Sequence, residues 1–193
     1  MKYLRKVFLK YEHRGIGYIV HYFLKKIGLK TKFSSFLHKK KFYLDNLVYD
    51  LTKGVVKNGI YKNLKLSKQQ NWKSSIDTDL SPKLLGIYEE QVQKKIIKLK
   101  EDHGLEYLVN FGAGEGYHAI GLVKNDIFKS CLCFEMDTIT KNILEKNINL
   151  NEVDQKIKVY NEANFDEVIN NFDEKKLEKT SLLVDVEGYE FQL

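Results

Sequence analysis

The stretch "LEYLVNFGAGEGYHAIGLVKN", Leu105 to Asn125, decides the fold. Its first seven residues (105–111) form an apolar run of strand length. Three glycines follow at alternate positions, Gly112, Gly114 and Gly116. Then "GYHAIGLVKN" (116–125) places its apolar residues at helical spacing. Strand, glycine turn and helix in that order open a doubly wound α/β unit, in which ligands bind at the carboxyl ends of strands. Glycine at such a turn lets the backbone approach a ligand closely. The N–H groups at the start of the next helix favour a carboxylate or phosphate.

The same alternation runs on toward the C-terminus. "SCLCFE" (130–135), "KIKVY" (156–160) and "SLLVDV" (181–186) read as strands. "DTITKNILEKNINLN" (137–151) reads as a helix with Ile139, Ile143, Leu144 and Ile148 on one side. "NFDEVINNF" (164–172) reads as a helix capped by Asn164. The expected fold is α/β, a Rossmann-like doubly wound parallel sheet with helices on both faces. Cys131 and Cys133 are expected to be buried structural thiols on opposite sides of their strand. With only two cysteines there is no disulfide framework and no zinc pattern, so no metal is expected and a reducing, cytoplasmic setting fits.

Upstream of Leu105 the pattern differs. Ser81-Pro82 predicts a capped helix start, with Leu85, Tyr88, Val92, Ile96 and Leu99 on one helix that stops at Gly104. Asn58-Gly59 between β-favouring flanks predicts a hairpin over 55–66. Residues 67–80 read as loop, and 31–50 as basic and aromatic with weak helical periodicity. Residues 1–30 read as two basic amphipathic helices interrupted at Gly15 and Gly17.

Charge divides the chain in the same place. Residues 1–80 hold 18 Lys/Arg against 5 Asp/Glu, and residues 81–193 hold 14 against 21. Two parts are therefore expected: a basic, mostly helical N-terminal segment (1–80) and an α/β domain (81–193). The basic face of residues 1–30 suits a solvated helical cap first, and peripheral contact with an anionic membrane second. Its longest apolar stretch, "YIVHYFL", is far short of the ~20 residues a spanning helix needs.

The chemistry concentrates at the strand tips. Glu135 ends the second strand, where a carboxylate can accept hydrogen bonds from both ribose hydroxyls of a nucleoside. Glycine turn plus acid predicts an adenosine-containing cofactor. A dinucleotide fingerprint would place glycine at 117, where this chain has Tyr117. The acidic Glu115 in the turn suits the cationic sulfonium and amino groups of S-adenosylmethionine better than a pyrophosphate.

The runs "LVNFGAGEGYH", "CFEMD", "LEKNINLN" and above all "LLVDVEGYEFQL" resemble the FkbM-type family of S-adenosylmethionine-dependent methyltransferases. "LSPKLLGIYEEQV" (80–92) resembles the segment that leads into the catalytic domain of some bacterial members. The resemblance covers residues 80–193. It implies a class I methyltransferase fold and O-methylation of a hydroxyl on a glycan or small metabolite, with no nucleic-acid partner. It also implies a cofactor-binding set of Asn110, Phe111, Gly112, Ala113, Gly114, Gly116, Glu135, Met136, Ala163 and Asp185. Within that set Gly112 to Gly116 would wrap the methionine part, Glu135 would hold the ribose, Met136 and Ala163 would lie near the adenine, and Asp185 near the amino group and acceptor. Asn110 departs from the acid often found there, which implies altered cofactor contact. Asp185, Glu187 and His118 are possible bases, and the catalytic base stays unassigned, with His118 favoured as a packing residue.

Class I methyltransferases resemble one another in having seven strands, and four are legible here. The expectation is therefore an incomplete sheet whose apolar fourth strand is an unguarded edge. Two alternatives stand beside the main reading. A nucleic-acid methyltransferase fits the basic segment, but D-V-E-G replaces the D-P-P-Y type run of adenine-methylating enzymes. A non-enzymatic binding module with a degenerate cofactor fold is the other.

Overall fold

The computed structural model describes residues 43–68 and 79–186. The two basic helices expected in residues 1–30, residues 69–78 of the loop expected over 67–80, and Glu187 lie outside the described residues. One compact unit runs from Leu44 to Leu193.

The sheet has four parallel strands: β1 (Tyr107–Phe111), β2 (Ser130–Phe134), β3 (Ile157–Tyr160) and β4 (Thr180–Val184). Their order is β3-β2-β1-β4. Tyr107 pairs with both Ser130 and Thr180, so the tips of β1, β2 and β4 end level. The chain leaves β1 for β2 on one side and returns to its other side with β4. That reversal is the topological switch point at which open α/β sheets bind ligands.

Two apolar layers cover the sheet. On one face Leu108, Cys131, Cys133 and Ile157 pack under Ala119, Ile120 and Val123 of α4 (Tyr117–Lys124) and under Leu144 and Ile148 of α5 (Thr138–Leu150). On the other, Val109, Phe111, Leu132 and Phe134 pack under Val168 of α6 (Phe165–Asn171) and against Leu177 of the short α7 (Glu174–Leu177). The Rossmann-like reading holds: the sheet is all-parallel, and its central strands β1 and β2 are buried along nearly their whole length, while the outer strands β3 and β4 are partly exposed.

The boundaries follow local chemistry. Asn164 accepts from the Asp166 N–H and Asp137 from the Thr140 N–H, so α6 and α5 each start on a side-chain cap. Gly104 ends α3 (Glu90–His103) in the left-handed conformation. Ile139, expected on the buried side of α5, is instead 56% exposed and faces outward.

Four expectations are corrected. Cys131 and Cys133 lie on the same face of β2 with their sulfurs 3.5 Å apart, because residues i and i+2 of a strand share a face. Both are buried, and burial pushes the Cys131 thiol pKa up. The single helix expected from Ser81 is two, α2 (Leu80–Leu85) and α3. Gly86 breaks it at φ 80, pressed against the Asn58 carbonyl where a Cβ would collide. A tertiary contact thus cut a continuous helical period. Ser81 does not cap α2; it lies inside the helix, and its N–H and hydroxyl both donate to Asp45 of α1 (43–52). The 55–66 stretch forms a wider loop closed by a single antiparallel bridge, Val55 to Lys65.

Asn147 of α5 and Asn151, the cap at its C-terminal end, tie that loop to the helix. Asn151 accepts from the Lys65 N–H and donates to the Lys65 carbonyl, at 2.8 and 2.7 Å. Asn147 accepts from the Ser67 N–H at 2.8 Å. One turn apart on the helix, the two amides imitate a strand edge for the incoming chain.

Candidate functional site

The site is built where β1, β2 and β4 end. Beyond Phe111 the chain turns through Gly112, whose N–H donates to the Phe134 carbonyl at 2.9 Å; the Ala113 N–H donates to the same oxygen at 3.0 Å. Gly112, Gly114 and Gly116 all have positive φ, at 74°, 57° and 90°. At Gly112 the demand is also steric, since a Cβ would run into the main-chain carbonyl of Asp185. The Asp185 N–H in turn donates to the Phe111 carbonyl at 2.9 Å. The glycine turn and the tip of β4 therefore touch through their backbones.

Glu135 lies at the centre. One carboxylate oxygen accepts from the Gly114 N–H and the other from the Asp137 N–H, both at 2.9 Å. Each oxygen keeps a second lone pair for an incoming hydroxyl. Met136, immediately after, is 63% exposed and offers an apolar surface beside the acid.

The structure thus joins Gly112, Gly114, Glu135 and Asp185, four of the residues marked in the sequence. Asn110, Phe111 and Ala163 turn away from that cluster. Asn110 is buried, with its amide 3.4 Å from the Leu183 carbonyl, between β1 and β4. The Phe111 ring is wholly buried, edge-on to Phe134 and Phe165, so only its backbone borders the site. Ala163 packs against that aromatic layer. His118 is occupied at both ring nitrogens, by Tyr61 at 3.0 Å and Glu89 at 2.9 Å. Burial holds the Tyr61 phenol well above its usual pKa, and an ionised Glu89 can only accept, so His118 Nε2–H donates to Glu89. That hydrogen bond holds the Glu89 carboxyl below its usual range. His118 ties α4 to the 55–66 loop and to the turn before α3.

A further correction concerns Glu115. Its acid does not present a charge to a ligand. It is buried and ion-paired with Lys83 of α2, with the two side chains 7% and 2% exposed. The Lys83 ammonium also sits 4.6 Å from the Tyr88 ring centre and 5.7 Å from that of Tyr117, within cation–π range. Tyr117 is buried in this aromatic group, and burial pushes its phenol up to about 12. Lys83 reaches the glycine turn, and Tyr88 and Glu89 reach the start of α4, from a segment whose sequence reads as helix and resembles a lead-in to the catalytic domain, with no site residue assigned in it. The signal available was Lys83 beside Pro82 in an apolar run, but a lone lysine there reads as a solvated helix residue.

Among the described residues no group of three or more His, Cys, Asp or Glu side chains could hold a metal ion. Nor is any described helix long and apolar enough to cross a membrane.

No family model and no curated protein matches the chain. Among solved structures it is similar to a candidate transferase from Pyrococcus horikoshii, at 22% identity and a TM-score of 0.35. The likeness covers 47% of this chain and 33% of that one, so this chain spans only part of the length of the structure it matches. A likeness that slight carries no argument about the reaction, and the fold rests on the strand order and register above.

Proposed function

We propose that the chain binds S-adenosylmethionine at the tips of β1, β2 and β4 and belongs to an FkbM-like methyltransferase acting on a hydroxyl of a glycan or small metabolite. One observation carries the reading: Glu135 is held against the Gly114 N–H, so the ribose-binding acid and the close-approach glycine form one unit. The residues fit the group. Glu135 retains acceptor capacity for two hydroxyls, Met136 is exposed beside it for a base, and a Cβ at Gly114 would meet nothing within 4 Å, so the turn is open beside the acid. With Glu115 neutralised by Lys83, the preference over a dinucleotide rests on Tyr117. Its buried ring stands where the dinucleotide fingerprint needs a third glycine for close helix packing.

When bound, the cofactor supplies an electrophilic methyl group on sulfur. The chain's own contribution is alignment. Glu135 orients the nucleoside, the glycine turn brings backbone against the cofactor, and exposed Asp185 lies beside Gly112 where an acceptor hydroxyl would need a proton acceptor. His118, engaged at both nitrogens, is not that group.

Calorimetry with S-adenosylhomocysteine, and with NAD in parallel, tests the reading. Wild type should bind the former and not the latter. Glu135→Ala should weaken binding ~10–100-fold, the worth of a hydrogen bond to a charged group. Preferential NAD binding, or unchanged affinity in the variant, would overturn it.

A further inference from the structure

We propose that Lys83 is a positioning residue for the glycine turn, holding it in its ligand-accepting shape through Glu115. The turn contains three residues of positive φ, and glycines there give it little conformational preference of its own. Glu115, between Gly114 and Gly116, is clamped twice. Its carboxylate meets the Lys83 ammonium, and its carbonyl accepts from the Asn147 side chain at 2.9 Å. Lys83 is itself fixed. Its ammonium sits over Tyr88, its carbonyl lies 3.4 Å from the Tyr117 hydroxyl, and its helix ends where Gly86 wedges against Asn58.

A buried ion pair is a poor way to add stability, because desolvating two charges offsets most of their attraction. Its physical effect here is to commit Glu115 to one direction, away from the strand tips. Without that lock the side chain at 115 can turn and the peptides on either side of it can rotate; Gly114, with no side chain to resist, passes the rotation to the preceding peptide, whose Gly114 N–H holds Glu135. Lys83 therefore couples the segment before the sheet to the ribose-binding acid, two contacts away.

The experiment compares wild type, Lys83→Met, and the double variant Lys83→Met with Glu115→Met, which removes both buried charges and keeps two long unbranched side chains. Three quantities are read: thermal midpoint, amide hydrogen exchange of residues 112–116 without ligand, and affinity for S-adenosylhomocysteine. The affinity arm rests on the cofactor reading above; the exchange arm does not. If wild type binds no S-adenosylhomocysteine, that reading fails while exchange still decides the role of Lys83. The single variant is expected to lose stability. The double variant is expected to melt within a few degrees of wild type, yet to exchange at 112–116 at least tenfold faster, with unchanged exchange in β1 and β2, and to bind at least tenfold more weakly. A double variant with wild-type exchange in the turn would overturn the proposal. So would one as unstable as the single variant, since the pair would then be a framework contact.

Discussion

Replacing Gly112 by alanine isolates the contact that joins the glycine turn to β4. At Gly112 the backbone has φ +74, and the added Cβ would strike the carbonyl of Asp185. Gly104 supplies the control. It has φ +62, and a Cβ there meets nothing within 4 Å. A left-handed L-residue costs ~1–2 kcal/mol, and the stiffer unfolded chain returns ~0.4–1, so Gly104→Ala should lose about 1 kcal/mol. Gly112→Ala carries that same strain plus overlap with backbone that cannot retreat, because the Asp185 N–H is bound to Phe111. Overpacking of that kind adds ~1–3 kcal/mol, for a total of ~2–4. With a urea slope of about 2 kcal/mol per molar, the midpoints should fall by ~0.5 M for Gly104→Ala and ~1–2 M for Gly112→Ala. Far-ultraviolet circular dichroism across a urea series reads both. Equal shifts in the two variants would refute the steric account and leave conformational strain alone.

Two further outcomes are expected. Glu106 accepts hydrogen bonds from Lys129 and Lys179, which hold its carboxyl down to about 2. A depressed folded pKa contributes stability above the unfolded value of ~4.3 and loses it as pH falls toward the folded value. Glu106→Gln should thus flatten the stability profile between about pH 5 and pH 2, and an unchanged acid limb in thermal melts would count against the pairing. Asn151→Ala should cost ~2–3 kcal/mol by stranding both backbone groups of Lys65, read as a lowered thermal midpoint; a loss under ~0.5 would mean water replaces the amide.

The core of the fold was legible from apolar runs of strand length alternating with helical periods, because burial on both sheet faces imposes that pattern on any sequence. Caps at Asn164 and the stop at Gly104 were legible for the same kind of reason: they satisfy backbone groups within a few residues of themselves. The glycine turn and Glu135 could be paired in advance, since strand, turn and strand tip are linked by one crossover. What failed depended on distant neighbours. Gly86 cut a helix because Asn58 approaches it.

The sequence by itself determined the parallel sheet and placed the glycine turn and Glu135 at its strand tips, both of which follow from local period and chain order. Only the tertiary structure decided where charge points. Glu115 reads as a ligand-facing acid until Lys83, 32 positions earlier, is brought against it. His118 reads as a possible base until Tyr61 and Glu89 occupy both its nitrogens. A side chain's role depends on the partners that close around it in space, and residue spacing along the chain carries no record of those partners.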